Sequence, residues 1–186
     1  MSLPQQLLAI DEALAAAKVP HAFGGAIALA FYTLEPRGTR DLDVNIFVAQ
    51  EHCAAALAAL PPDVAVPEGM PERIAADGQA RLWWADTPVD VFFDNLPIHR
   101  QAARHVRRVP FAGAEIPILG PIELVLFKAM FDRTKDWADI ESVVAAGELD
   151  VQAARDGLVS LVGSDDVRVA RYDDSVARGR KAAGDA

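Results

Sequence analysis

The sequence predicts an α+β protein: a mixed β-sheet flanked by helices to about residue 120, then a helical C-terminal part. Three observations predict this. From Asp41 to Val48 (DLDVNIFV) apolar residues recur at period two, which marks a strand with one dry face. Two apolar runs, Gln79–Ala85 and Val89–Phe93, are joined by the turn-type residues Asp86, Thr87 and Pro88. Everything from Pro121 onward is helical in pattern. The division expected is therefore 1–120 and 121–186.

The elements follow in order. Pro4 to Lys18 carries Leu7, Ile10 and Leu14 on one face of a short amphipathic helix that Pro20 ends. His21 to Phe23 is extended and runs into Gly24-Gly25, after which Ile27, Ala30, Phe31 and Leu34 form the buried stripe expected of a second helix, closed by Pro36 and Gly38. In the strand that follows, Leu42, Val44, Ile46 and Val48 face one way, and Asp41, Asp43, Asn45 and Phe47 the other. Glu51 to Leu60 reads as helix, stopped by Pro61-Pro62; between there and Gly78 the pattern is weak. A polar helical stretch, His99 to His105, precedes VRRVPFAGAEIPILG, a hairpin turning at Ala112-Gly113. The end of the chain beyond Arg178 reads as a polar tail.

Composition excludes several functions. The chain has 186 residues, 52% of them apolar, and a mean hydropathy of +0.13, enough for one substantial core. A formal net charge of −9 argues against a protein that coats bulk nucleic acid, whose phosphates are met by clustered Lys and Arg. Cys53 is the single cysteine, so no intrachain disulfide forms, and its place among alanines suits packing. No basic leader and no run of about 18 apolar residues is found, so a cytoplasmic protein with no membrane span is expected.

The candidate chemistry lies at three places. Asp41 and Asp43, two apart on a strand, project from one face with Cα atoms about 6.5–7 Å apart. Two Mg²⁺ ions are a natural countercharge, because Mg²⁺ takes one or two carboxylates together with substrate phosphates. Asp90, in PVDVFFD, is a third acid on an apolar strand, where a carboxylate without a partner is costly. Each acid alone also reads as a solvated residue on an open sheet face. Gly24-Gly25 before a helix offers backbone N–H groups and a positive helix end to a phosphate, or simply makes a tight turn. In Arg37-Gly38-Thr39-Arg40, two cations and a hydroxyl precede the acidic strand, placed either to touch phosphate or to pair with Asp41 and Asp43. Lys128, Asp132, Lys135 and Asp139 form one charged stripe if their helix is continuous, read either as a solvated face or as a route for Lys128 to a triphosphate. Trp83 and Trp84 point to opposite sides of their strand, and no metal-ligand spacing links His21, His52, His99 and His105.

The order Gly-Gly, helix, Arg-x-Thr-x-Asp-Leu-Asp-Val, then a later strand with one Asp, resembles the nucleotidyltransferase superfamily that shares the DNA polymerase beta palm. Within it the pattern is similar to small bacterial members: lincosamide- and aminoglycoside-type enzymes, and abortive-infection and type IV toxin-antitoxin nucleotidyltransferases. Those families follow the palm with a strand pair, a Lys-containing helix and an Arg-x-Lys-Asp-x-x-Asp segment, here IELVLFKAMFDRTKDWADIESVV, Ile122 to Val144. The stretch from Gly25 to Asp41 is longer than in the tightest form of the motif, so the likeness points to the superfamily and not to one branch.

The resemblance implies a palm domain over 1–120. It also implies that Gly24 and Gly25 hold nucleotide phosphates and that Asp41, Asp43 and Asp90 bind Mg²⁺, two ions in all; it favours Lys128 as a further phosphate ligand, beside Arg37, Thr39 and Arg40, which the residues themselves suggest. The activity it implies is transfer of a nucleoside monophosphate from an NTP, ATP included, to the hydroxyl of a small molecule or a protein, with release of pyrophosphate. A second expectation from the same families is a catalytically weak binding or antitoxin module acting on a protein partner.

Overall fold

A computed structural model describes residues 1–33, 35 and 38–184. The chain divides into two compact units. One comprises Met1–Ile27 and Gly38–Leu119, the other Ala28–Arg37 and Gly120–Ala186.

The first unit is built on a seven-stranded sheet. Its strands are β1 (His21–Phe23), β2 (Leu42–Ala49), β3 (Val64–Ala65), β4 (Gln79–Trp84), β5 (Thr87–Asp94), β6 (Arg107–Phe111) and β7 (Ala114–Ile118), in the order β3-β4-β5-β2-β1-β7-β6. β2 runs parallel to β5 and β1 parallel to β7, while the remaining pairs are antiparallel, so the sheet is mixed. Leu42, Val44 and Ile46 of β2 and Val89, Val91 and Phe93 of β5 are wholly buried, as alternation requires of one face. The other face of β2 is drier than expected, since Asn45 is buried beside Gly24, and Val48 on the dry face is only half-buried.

The helix α1 (Leu3–Ala16) buries Leu7, Ile10 and Leu14, and Gln5 Oε1 accepts the Ser2 N–H at 2.9 Å to cap its start. Its buried Gln6 accepts from Thr87 Oγ1 at 2.9 Å and donates to the Trp84 carbonyl at 3.4 Å, tying α1 to the β4–β5 turn. That turn is Ala85-Asp86, with Ala85 at φ +51, and not the expected Asp86–Pro88. The β6–β7 hairpin turns at Ala112-Gly113 as expected, both in the left-handed region.

The weak stretch after Pro61 holds β3 and a helix, α4 (Met70–Asp77), bounded by Gly69 and Gly78 at positive φ. Only Met70 and Ile74 of α4 are buried, too few to make a periodic signal. The expected helix at 51–60 is shorter: a single tight turn, Gln50–His52, leads into α3 (Cys53–Ala58), which buries Cys53. α5 (Pro97–Arg104) completes this unit's helices among the described residues.

The helix after the glycines, α2 (Gly25–Thr33), has its first three residues in the first unit and the rest in the second. Its buried stripe is Ala28, Leu29 and Tyr32, not Ile27, Ala30 and Phe31, which are half-buried. Leu34 and Pro36 lie outside the described residues.

The second unit is otherwise made by α6 (Pro121–Phe131), α7 (Thr134–Ala145), α8 (Val151–Val162) and α9 (Val167–Gly184). Asp132, at φ +55, ends α6, so the stripe Lys128-Asp132-Lys135-Asp139 does not lie on one helix. The Asp132 carboxylate instead accepts from Trp137 Nε1 at 2.8 Å and from Arg171 Nη1 at 2.6 Å, which stabilises the kinked junction. Where a polar tail was expected, α9 continues to Gly184 and packs on α7, its Gly179 lying against the Glu141 carbonyl and Val144. The hydroxyl of the fully buried Tyr172 donates to the Val151 carbonyl at 2.9 Å. No helix of the described residues is long and apolar enough to cross a membrane.

Candidate functional site

Four residues stand in one row across four neighbouring strands of the first unit. Arg81 of β4 is in register with Asp90 of β5, and Asp90 in register with Asp43 of β2. Gly24, next after β1, donates its N–H to the Asp43 carbonyl at 2.9 Å. Residues in register on adjacent strands point to the same face and are about 4.8 Å apart. The parallel pairing of β2 and β5 therefore brings the second and third acids together, although 47 positions separate them in the sequence (90 − 43).

The glycines meet this row at its inner end. Gly25 has φ +51, and a β-carbon there would overlap the Asp43 carboxylate, so the α2 N-terminus and Asp43 share one place only because residue 25 has no side chain. At Gly24 a β-carbon would stand 2.9 Å from Asn45 Nδ2 and 3.1 Å from Leu119 Cδ1. Since the Gly24 N–H is engaged by Asp43, the donors at the helix start are those of Gly25, Ala26 and Ile27, which an α-helix leaves without partners inside the helix.

At the outer end, Arg81 Nε and Nη2 each donate to one oxygen of Asp90 at 2.7 Å. That bond and the Asp90 charge hold the guanidinium above its usual value, and Asp41 and Asp43 push the same way. All three acids thus act on one cation. Asp41, just ahead of β2, accepts from Thr39 Oγ1 at 2.6 Å, so the Thr39 hydroxyl orients this carboxylate. Arg40 is exposed beside it, and Arg37 lies outside the described residues.

Among the described residues no group of three His, Cys, Asp or Glu side chains is assembled as a metal cage. Both oxygens of Asp90 lie on Arg81. By chemistry the donors suit Mg²⁺, which takes hard carboxylate oxygens: Asp43 and Asp90 lie in register on neighbouring strands, and Asp41 precedes β2.

Lys128, read from the sequence either as part of a solvated face or as a triphosphate ligand, is not on a solvated face. It is buried within the helical unit, its Nζ 2.7 Å from Asp139 Oδ2 and 3.8 Å from Asp136 Oδ1. Asp136 also takes Arg133 Nε at 2.6 Å and Nη2 at 3.1 Å. The Arg-x-Lys-Asp-x-x-Asp segment is thus, in its local geometry, a clamp of two acids on Lys128, with Arg133 balancing the charge. Trp84 is buried, while Trp83 is exposed on the Arg81 face of β4.

Sequence reasoning missed Arg81 and Asp136. The signal for Arg81 was the hairpin register: with Ala85-Asp86 as the turn, Arg81 falls opposite Asp90, whereas the turn expected at Asp86–Pro88 puts Trp84 there.

No family model matches this sequence, and no curated protein matches it. Solved structures do. The antibiotic-resistance factor ANT(2'')-Ia, an aminoglycoside nucleotidyltransferase, is similar with a TM-score of 0.54 and 14% identity, over 98% of this chain and 94% of that one. An antigenic nucleotidyltransferase-like protein from Paracoccidioides brasiliensis is similar with a TM-score of 0.50 and 15% identity, over 91% of this chain and 94% of that one. The chain therefore has the nucleotidyltransferase fold, in its α+β form with a mixed sheet flanked by helices.

Proposed function

We propose that this chain, built on the nucleotidyltransferase fold, moves a nucleoside monophosphate from an NTP to an acceptor hydroxyl with release of pyrophosphate. The observation that carries the reading is the row from Gly24 through Asp43 to Asp90: a glycine turn at a helix start and two acids set side by side by strand register, with Asp41 two residues before Asp43. A glycine turn at a helix start beside paired carboxylates suits a triphosphate with its cations, which needs both.

In this reading Asp41, Asp43 and Asp90 hold Mg²⁺, which when bound lowers the acceptor's pKa and offsets charge on the leaving pyrophosphate. The chain's own groups supply the positioning. The N–H groups of Gly25, Ala26 and Ile27 receive phosphate oxygens at the positive end of α2. Thr39 keeps Asp41 in its rotamer through the 2.6 Å bond. Arg40, exposed at the entry to β2, meets phosphate charge. Asp90 receives the acceptor's proton as the new bond to the α-phosphorus forms and the bond to pyrophosphate breaks. The gain in rate comes from positioning and charge stabilisation, with no covalent enzyme intermediate.

The test is pyrophosphate release from each of the four NTPs, with Mg²⁺ or EDTA, in the presence of candidate acceptors. Aminoglycosides belong among these because of the likeness to ANT(2'')-Ia, and protein hydroxyls form the second class of acceptor tested. Mg²⁺-dependent release with at least one NTP is expected. Its absence, together with a thermal midpoint that no NTP raises in Mg²⁺, would refute the reading.

A further inference from the structure

We infer that Arg81 is an internal stand-in for the metal: its guanidinium occupies Asp90 in the metal-free protein, and a divalent cation gains Asp90 only by displacing it. The inference rests on the proposed reading of Asp41, Asp43 and Asp90 as metal ligands. Three observations carry it. Both oxygens of Asp90 are taken by Arg81, at 2.7 Å each, in the fork geometry that suits guanidinium and carboxylate. Strand register fixes the pairing, since Arg81 lies directly opposite Asp90 on the neighbouring strand, so the contact does not depend on a wandering loop. Asp43 stands in register with Asp90 on the strand beyond, so a second acid shares the row that ends at the guanidinium.

The Arg81 side chain is 54% exposed and that of Asp90 17%. An arginine so open to water leaves its partner at small cost, and the carboxylate it uncovers is the shielded one. Asp90 is thereby held in one rotamer and kept from a lone metal ion, then yielded when a cation arrives with the charge of a triphosphate behind it. Asp90 is paired throughout, first with the guanidinium and then with the metal. The released guanidinium remains on the Asp90 face of β4 with all its donors available to an anion.

The experiment measures Mn²⁺ affinity by calorimetric titration, without nucleotide, for the wild-type chain, Arg81→Gln and Arg81→Lys, each checked for folding by circular dichroism. Arg81→Gln is expected to bind Mn²⁺ about five-fold more tightly, the upper range for removing an exposed competing pair. Arg81→Lys keeps the charge but loses the fork, and is expected to fall between the two. Equal or weaker binding by Arg81→Gln would overturn the displacement and leave the metal site standing. Failure of all three proteins to bind Mn²⁺ would overturn the site and the displacement together. Should Arg81→Gln not fold, Arg81→Lys alone decides: affinity above wild type supports the inference, and affinity at or below it overturns it.

Discussion

Gly25 and Asp43 occupy one space from two sides: the left-handed turn at Gly25 opens α2 where the Asp43 carboxylate lies, and no β-carbon fits between them. Gly25→Ala is therefore expected to lose about 2–4 kcal/mol, from positive φ and overlap together. Gly38→Ala serves as the control, having nothing within 4 Å among the described residues and no positive φ, and should stay within about 0.5 kcal/mol of wild type. Urea denaturation of both variants measures the difference, and equal midpoints would mean that the turn relaxes away from the acid.

Asp43→Asn separates catalysis from folding. The isosteric amide fits the same space and removes one of three neighbouring negative charges, so the thermal midpoint should hold or rise. Pyrophosphate release should fall by about 100-fold or more, as loss of a charge-stabilising group in a preorganised site implies. A variant that melts earlier yet keeps its turnover would assign Asp43 a structural task instead.

Lys128 is predicted to matter for stability. Lys128→Met takes from the buried Asp139 the cation at 2.7 Å and leaves Asp136 with Arg133 alone, a change that costs about 3–5 kcal/mol. Adding Asp139→Asn in the same chain should return part of the loss, because it removes one of the stranded charges. A double-mutant cycle in denaturant gives the coupling. If the two changes are simply additive, the 2.7 Å pair contributes nothing to the fold.

A pH effect is expected from α5. His99 is buried, and burial pushes its imidazole below the ordinary value of about 6.5, against the opposing pull of Asp94 and in concert with Arg100. The unfolded chain therefore binds the proton at higher pH than the folded one. The His99 contribution is complete above that ordinary value and is lost as pH falls below it. Thermal midpoints measured between about pH 7 and 5 should decline, and His99→Gln should flatten that decline. An identical slope in the variant would assign the effect to other groups.

Much of the first unit was legible because its strands advertise themselves. Alternation in DLDVNIFV located the dry face of β2, and Gly113 marked the β6–β7 turn. What stayed hidden depends on register. Ala85 carries a positive φ that its chemistry does not announce, so the β4–β5 turn was read too late in the chain and Arg81 was not matched to Asp90. The glycine turn and the acids were legible as separate motifs. Their meeting was not, because parallel pairing of β2 with β5 is a fact of topology. In the helical unit, the charged spacing from Lys128 to Asp139 looked like one helix face. A single αL residue, Asp132, turned it into an ion cluster between two helices.

The two margins of the sheet carry a consequence for behaviour in a crowded solution. At one margin β3 is only two residues long, too short to template another strand. At the other, β6 presents Arg107, Arg108 and Pro110, with Arg108 bonded back to the Glu115 carbonyl at 2.9 Å. Short length, cationic side chains and a residue without an N–H are the devices by which sheets resist annealing to one another. A strongly apolar seven-stranded sheet thus carries its own protection against polymerising through its borders, and Arg107→Val with Arg108→Val would open the β6 border to fibril growth.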